Sequence, residues 1–210
     1  MKIVMLGPQG SGKGTQAALI AKEFSLPHIS TGDIFRENIK NQTELGKKVL
    51  EYTNKGLLVP DELVNEIIQD ALNKHPEGFI LDGYPRNIAQ AKVLDGFEGI
   101  KIDHIIEIRI SDEEAVRRIS GRRTCEDCGF VTSYYAKDYD KENEKCSRCG
   151  GKMVIRDDDK EDAVKKRLEI YHNETEPIIE FYRDKDVLLS IEGERPIDDI
   201  FREIKKKISG

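Results

Sequence analysis

One short stretch near the N-terminus constrains this chain more than any other: residues 7–15 read GPQGSGKGT and follow an apolar run at residues 3–6. The glycine spacing before Lys13 is that of a phosphate-binding loop. In such a loop, successive backbone N–H groups face one anion, the lysine meets the outer phosphates, and the following helix adds its positive end. The general pattern has a hydroxyl residue directly after the lysine, whereas here Gly14 intervenes before Thr15. The apolar strand and the helical run that flank this stretch favour a phosphate-binding loop over a merely glycine-rich turn.

The composition and charge of the chain exclude several classes of protein. With 210 residues, of which 38% are hydrophobic and 35% charged, the chain can bury one substantial core and fits a globular protein with a charged surface. No apolar run approaches the roughly 20 residues that cross a bilayer, and no export leader precedes the first strand. The net charge of -6 disfavours a broad polyanion-binding surface. We therefore expect a cytoplasmic protein with a small-molecule partner, and neither a membrane nor a nucleic acid.

All four cysteines lie in one segment, as two Cys-x-x-Cys pairs. Cys125 and Cys128 are separated by 17 residues from Cys146 and Cys149, and a glycine follows each pair. Two such knuckles place four thiolates tetrahedrally, and the glycines supply the backbone freedom that sharp knuckles need. Disulfides are the alternative, which a reducing compartment disfavours, and a redox pair is disfavoured because neither pair opens a helix. The spacing favours a zinc site.

Elsewhere short apolar strands alternate with helical stretches, which indicates βαβ units and a mainly parallel sheet. The predicted strands cover residues 3–6, 79–81, 104–108 and 187–191, with a shorter one at 28–29. Helices are predicted from residue 15 to 24, from Asp61 through residue 72, from Asp112 to about residue 120, from Asp159 past residue 171, and from Pro196 to about residue 208.

Two stretches interrupt this alternation. Residues 30–59 insert two helical segments, and residues 122–158 are polar, rich in tyrosine and cysteine, and have little helical periodicity. We expect both to be subdomains at the carboxyl edge of the sheet, where open α/β sheets bind ligands. The core domain then consists of residues 1–29, 60–121 and 159–210.

Six sequence blocks identify the family that the chain resembles. They are GPQGSGKGTQ at residues 7–16, HISTGDIFR at 28–36, GLLVPDE at 56–62, GFILDGYPRN at 78–87, GRRTC at 121–125 and RDDDKEDAVKKRL at 156–168. In this order they resemble adenylate kinases of the long-lid type, whose lid carries a zinc knuckle. The resemblance implies an α/β fold with a P-loop NTPase-type parallel β-sheet core flanked by helices. Residues 30–59 would be an inserted AMP-binding segment and residues 122–158 an inserted zinc-binding lid, in a monomer.

The resemblance also implies a reaction, the reversible transfer of the terminal phosphoryl group of ATP to AMP, which gives two ADP. Such a transfer requires two anions in line and neutralised charge, so cations and backbone donors matter more than a nucleophile. Lys13 would bridge the outer phosphates of ATP, while Arg36 and Arg86 match positions that grip the AMP phosphate. The implied catalytic residues are Lys13, Arg86, Arg122, Arg156 and Arg167. For each arginine alone, a solvated surface charge is the alternative.

Carboxylates near an anion site must serve a cation or a base. Asp82 ends a predicted strand, where it would orient waters of a magnesium ion bound with the nucleotide, and Asp33 resembles a second such residue. For Asp33, capping of a helix is an alternative that is compatible with this role. The run at residues 157–159 is either a solvated charge cluster or, by resemblance, a set of hinge and lid contacts to the arginines.

The two nucleotide sites draw on separate parts of the chain. For AMP, the amide of Gln90 fits the N1 and amino edge of adenine, Thr31 resembles another adenine contact, and residues 57–59 would add backbone and an apolar wall. The full set for AMP is Thr31, Arg36, Leu57, Leu58, Val59, Gly83, Tyr84, Pro85, Arg86, Gln90, Arg156 and Arg167. The set for ATP is Gly10, Ser11, Gly12, Lys13, Gly14, Thr15, Arg118, Arg122, Val131, Thr132 and Arg195. The lid sequence after the first Cys-x-x-Cys departs from the family pattern, which leaves the lid contacts to ATP open by a residue or two.

Two other functions remain as alternatives. One is a P-loop kinase with a different acceptor, such as UMP or CMP, which Gln90 and Thr31 disfavour. The other is a nucleotide-gated zinc module that binds nucleic acid or protein. Residues 125–149 carry six acidic and four basic side chains, so binding to DNA is electrostatically poor.

Overall fold

A computed structural model describes residues 1–53, 55, 57–136 and 139–209, with the side chain of Asp157 left out. Gly56 of the GLLVPDE block, and Lys137 and Asp138 of the charge comparison, lie outside this part. Within it, five parallel strands form a sheet in the order β2-β3-β1-β4-β8. These strands are β1 (Lys2–Leu6), β2 (His28–Ser30), β3 (Phe79–Asp82), β4 (His104–Arg109) and β8 (Leu188–Glu192). Their apolar sequences suit strands that are covered on both faces.

Helices cover both faces of this sheet. They are α1 (Lys13–Phe24), α2 (Thr31–Lys40), α3 (Glu44–Thr53), α4 (Asp61–Asn73), α5 (Ile88–Asp95), α6 (Asp112–Ser120), α7 (Glu161–Ile170), α8 (Pro177–Arg183) and α9 (Ile197–Ser209). Alternate residues of β1 serve the two faces: Ile3 packs in a cluster with Ile20 of α1 and Ile204 of α9, whereas Val4 packs in a cluster with Ile68 of α4. The described part is thus the P-loop NTPase-type α/β fold that the sequence predicts.

Several predicted helix boundaries are wrong by one or two residues. The start of α6 is capped by Ser111, whose hydroxyl accepts from the N–H of Glu114, so Asp112 is the first helical residue instead of the cap. Asp61 is likewise the first residue of α4 and follows Pro60. The helix predicted from Asp159 begins two residues later, because residues 157–159 form a 3-10 turn.

The same helix reaches past Tyr171, as predicted, but its turn widens there. Beyond Ile170 the backbone passes through one wide turn, Tyr171–Thr175, before α8 begins at Pro177. A proline has no N–H to donate to the preceding turn and tolerates the first turn of a helix, so it favours a new start at this point.

The cysteine segment, residues 122–158, forms a small sheet of its own. Its antiparallel strands are β5 (Arg122–Cys125), β6 (Val131–Ser133) and β7 (Met153–Val154), in the order β6-β5-β7. Cys125, Tyr139, Cys146 and Met153 make a separate buried cluster beneath it. A segment with its own sheet and its own small core can move as a unit.

Residues 31–53 contribute α2 and α3, which pack closely against each other. A Cβ atom at Gly46 of α3 would overlap the carbonyl group of Asn38, so only glycine allows this approach. No helix in the described ranges is both long and apolar enough to cross a membrane.

Candidate active site

The loop between β1 and α1 wraps tightly at the carboxyl edge of the sheet. Its three glycines at positions 7, 10 and 12 have φ values of 137°, 82° and 90°. Residues that carry a Cβ rarely adopt such a backbone conformation. A Cβ at Gly7 would lie 2.5 Å from the carbonyl oxygen of Ile108, so the loop is pressed against β4. The Lys13 Nζ donates to the Pro8 carbonyl at 3.2 Å, which folds the lysine back over the loop. This geometry gathers backbone donors and one cation around a space for an anion.

The electrostatics at Lys13 show that this space favours negative charge. Burial, reinforced by the charges of Arg86 and Arg167, lowers the pKa of Lys13 from 10.5 to about 8 against the opposing charge of Asp82. A bound phosphate would reverse this effect, because it brings a counter-charge to the ammonium group.

Three arginines converge on the same region. Burial and the neighbouring Arg167 lower the pKa of Arg86 to about 10, and burial with Arg36 and Arg122 does the same for Arg156. Burial also lowers the pKa of Arg167, although Asp158 opposes this. Buried guanidinium groups that repel one another are an unfavourable arrangement unless an anion joins them.

Each arginine is held in place by a short contact. The Arg86 Nε donates to the Gly83 carbonyl at 2.9 Å, and the Arg156 Nε donates to the Thr124 hydroxyl at 2.9 Å. Arg167 donates to the Asp158 carboxylate at 2.9 Å, and Arg122 pairs with the buried Asp159. Of the predicted run at residues 157–159, the two acids with described side chains therefore contact arginines.

Asp82 lies at the end of β3, next to the phosphate-binding loop. Burial alone would raise the pKa of its carboxyl group, but the neighbouring His28 side chain and the charge of Lys13 hold it below the ordinary value. The group is therefore a buried carboxylate, and its Oδ2 lies 3.1 Å from where a Cβ would stand at Gly14. A hydrated magnesium ion on a nucleotide in the loop fits this donor. Asp33 is more exposed and pairs with Arg36 at 2.6 Å.

A cavity of about 490 Å³ opens beside the loop. It brings together twelve of the predicted site residues: Lys13, Thr31, Arg36, Leu57, Leu58, Val59, Gly83, Pro85, Arg86, Gln90, Arg156 and Arg167. Glu126 of the first cysteine knuckle and Lys40 of α2 also line it, and the Lys40 Nζ donates to the Glu126 carbonyl at 3.2 Å. The cysteine segment therefore meets the 31–53 helices across the cavity.

The side chains predicted for the base and lid contacts of ATP lie outside the described lining of this cavity. Arg118 donates to the carbonyl of Gly193 at 2.9 Å and to that of Ser11 at 3.4 Å, which ties α6 to the loop. Arg195 pairs with Glu203 at 2.5 Å, and Val131 and Thr132 lie on β6. The structure does not bring these four side chains together with the cationic group.

Two polar side chains that the sequence predicts for the AMP site are buried and bonded. Thr31 and Gln90 are each 1% exposed. The Thr31 hydroxyl donates to the Gly83 carbonyl at 2.9 Å, and the Gln90 Oε1 accepts from the N–H of Arg86 at 2.8 Å. The amide of Gln90, on α5, is thus bonded to the backbone of the loop that carries Arg86.

The four cysteine sulfur atoms lie within 4.8 Å of one another, with Cys125 and Cys149 at 3.5 Å and Cys128 and Cys146 at 3.6 Å. A tetrahedral zinc with Zn–S bonds of about 2.3 Å requires S···S distances of about 3.8 Å, so the four thiols fit a zinc ion. The glycines after each pair have φ of 72° and 77°, and the N–H of Arg148 donates to the Cys146 sulfur. This is the backbone form that two metal knuckles need.

Comparison with known proteins bears directly on this arrangement. The sequence model of the family described as adenylate kinase matches residues 5–187. The chain belongs to the adenylate kinase family. It is 48% identical to an adenylate kinase of Thermoanaerobacter sp. (strain X514), over 99% of this chain and 98% of that protein. It is 49% identical to the adenylate kinase of Caldanaerobacter subterraneus subsp. tengcongensis, over 100% and 97%, and 50% identical to that of Caldicellulosiruptor bescii, over 99% of both.

Three supporting residues of this adenylate kinase family member were missed by the sequence analysis. The Thr175 hydroxyl donates to the Arg86 carbonyl at 2.7 Å, and the His28 Nε2 lies 3.7 Å from the Asp82 carboxylate. Asp61 accepts from the amide of Gln90 at 2.6 Å. Each acts across a long separation in sequence, so no local pattern signals it.

Proposed function

We propose that this chain transfers the terminal phosphoryl group of ATP to AMP, reversibly, and so produces two ADP. The observation that carries the proposal is the cavity in which Lys13, Arg86 and Arg167, half-buried and mutually repelling, meet the buried polar groups Thr31 and Gln90. An anion bound between the three cations would relieve their repulsion. Thr31 and Gln90 supply polar groups that can recognise a nucleotide base. Membership of the adenylate kinase family supports the same reaction.

The protein promotes this reaction by positioning the two nucleotides and by neutralising the charge on their phosphates. The loop amides and Lys13 hold the outer phosphates of ATP, and Arg36 and Arg86 hold the AMP phosphate. Arg122, Arg156 and Arg167 then neutralise charge on the group that moves between them. Because these donors are already fixed, little reorganisation is needed as the transition state forms.

Adenylate kinases act on a magnesium-bound nucleotide, and magnesium supplies charge neutralisation at the phosphates when it is bound. Asp82 and Asp33 are the residues proposed to hold its waters. Asp82 fits this role best, since its carboxyl group stays ionised while buried next to Lys13.

The cysteine segment serves as the lid over ATP, and residues 30–59 close over AMP, while residues 1–29, 60–121 and 159–210 form the core domain. The four cysteines hold one structural zinc ion, because four protein ligands leave no open position for chemistry. Arg118, Arg122, Val131, Thr132 and Arg195 are proposed to contact ATP when the lid moves. We expect a monomer that acts in the cytoplasm and binds neither nucleic acid nor a membrane.

The choice of acceptor tests this function. In a coupled assay with ATP, the rate with AMP should exceed the rates with UMP and CMP. Gln90→Leu should weaken that preference by roughly 1 to 3 kcal/mol, because a base edge is left unpaired. Gln69→Leu, at an exposed position of α4, is the matched control and should change nothing. Equal rates with AMP and UMP in the unchanged protein would refute AMP as its preferred acceptor.

A further inference from the structure

The side chains behind Gln90 form a closed hydrogen-bond network. The Gln90 Nε2 donates to the Oδ1 of Asp61 at 2.6 Å, and the Asn87 Nδ2 donates to both oxygens of the same carboxylate at 3.0 Å. The Asn87 Oδ1 in turn accepts from the backbone N–H of Gln90 at 2.8 Å. On its other side, the Gln90 Oε1 accepts from the N–H of Arg86 at 2.8 Å. Every contact in this network joins one donor to one acceptor.

This network determines which way the amide of Gln90 faces. A carboxylate accepts hydrogen bonds and does not donate them, so it must face the amide nitrogen. If the amide were reversed, its oxygen would face the carboxylate of Asp61 and its nitrogen would face the N–H of Arg86. Both contacts would be repulsive, and the side chain of Gln90 is only 1% exposed, so solvent would offset little of that cost. The orientation is therefore fixed from both ends.

A fixed amide distinguishes bases that differ only in the direction of their hydrogen bonds. Beyond the contacts named above, the amide nitrogen keeps one N–H and the amide oxygen keeps one lone pair. Adenine offers an acceptor at N1 and a donor at its amino group, which match these two. Hypoxanthine, the base of IMP, has the opposite pattern, with a donor at N1 and an acceptor at O6. IMP otherwise has the same ribose and phosphate as AMP.

We propose that Asp61 is a positioning residue that sets the base selectivity of the acceptor site. It stands behind Gln90, outside the described lining of the cavity, and acts by holding the amide in the orientation that adenine needs. The inference rests on the proposed function, in which Gln90 meets the base of AMP. Because the same amide bonds the N–H of Arg86, Asp61 also connects base recognition to the loop that carries the phosphate-binding arginine.

The test is to remove the carboxylate while keeping the start of α4. Asp61→Asn has the same shape, but its amide nitrogen would face the Asn87 Nδ2 in one orientation and the Gln90 Nε2 as well in the other, so a donor meets a donor in either case. Asp61→Ser is a second variant, whose hydroxyl is also well tolerated where a helix begins. Glu62→Gln, one residue further along and exposed, is the control for the lost charge in the first turn. For each protein, kcat/KM is measured for AMP and for IMP with ATP, and thermal unfolding establishes that it is folded.

In both Asp61 variants the ratio of kcat/KM for AMP to that for IMP should fall about tenfold, since a hydrogen bond to a charged acceptor is the stronger kind. Glu62→Gln should keep the ratio of the unchanged protein. If the folded variants keep the ratio within twofold, or lose activity with AMP and IMP equally, Asp61 has only a structural role and the inference is wrong. Failure of the proposed function is a different result, since the unchanged protein would then show no preference for AMP over UMP.

Discussion

Replacing Lys13 by methionine should make the ligand-free protein more stable and almost inactive. The ammonium group is charged in a half-buried site next to Arg86 and Arg167, and these surroundings lower its pKa from 10.5 to about 8. At neutral pH the folded protein therefore bears the free-energy cost of keeping this group protonated. Methionine has nearly the same length and fills the same space without the charge.

The size of the effect follows from the pKa. Since each pKa unit corresponds to about 1.4 kcal/mol, the fall from 10.5 to about 8 sets an upper limit of about 3 kcal/mol. Lys13 keeps some contact with solvent and donates to the Pro8 carbonyl, and both facts reduce the gain. We expect Lys13→Met to raise the free energy of unfolding at pH 7 by about 1 to 2 kcal/mol.

The pH dependence has a definite sign. Below pH 8, Lys13 is charged in both the folded and the unfolded protein, so the whole cost is present. Between pH 8 and 10.5 the folded protein releases the proton and the unfolded chain keeps it, so the unchanged protein becomes more stable as the pH rises. The advantage of Lys13→Met should therefore shrink across this range.

Urea unfolding at pH 7 and pH 9.5 measures this difference, with Lys22→Met at an exposed position in the last turn of α1 as the control. The coupled assay should show that Lys13→Met loses most of its kcat, since the lysine follows the charge that moves during transfer. A variant that keeps more than about a tenth of the original kcat loses less than ~1.4 kcal/mol of transition-state stabilisation, and the role given to Lys13 would be wrong. A less stable variant at pH 7 would refute the electrostatic reasoning.

Three further predictions concern the metal, the AMP phosphate and the lid. Protein purified without chelator should contain one zinc per chain by metal analysis, and Cys149→Ser should lower both the zinc content and the Tm; a disulfide in its place would contradict the assignment. Arg86→Ala should raise KM for AMP strongly and lower kcat as well, whereas Arg183→Ala, on the surface of α8, should change neither. A ligand that joins two adenosines through five phosphates should bring the cysteine segment and residues 31–53 closer to the core domain; unchanged distances between spin labels on these parts would exclude closure.

The sequence alone determined those features whose physics is local. The glycine-rich loop before Lys13 binds phosphate through its own backbone and its own cation. Each Cys-x-x-Cys pair brings its two thiols together within one short knuckle. The strands were recognisable because a parallel sheet covered on both faces requires apolar runs such as that in β1. The family blocks extended this to the fold, which the structure confirms.

Tertiary structure decided what depends on groups that are distant in sequence. Asp61 reaches Gln90 and Thr175 reaches Arg86 only because α4 and the turn after α7 pack beside the loop that follows β3. The start of the helix after Ser111 was ambiguous because neighbouring residues can also cap a helix. Strands β5 to β7 have only two to four residues each, which is too short to show a period. The lowered pKa of Lys13 also arises from burial and from charges on other elements, so it exists only once the chain has folded.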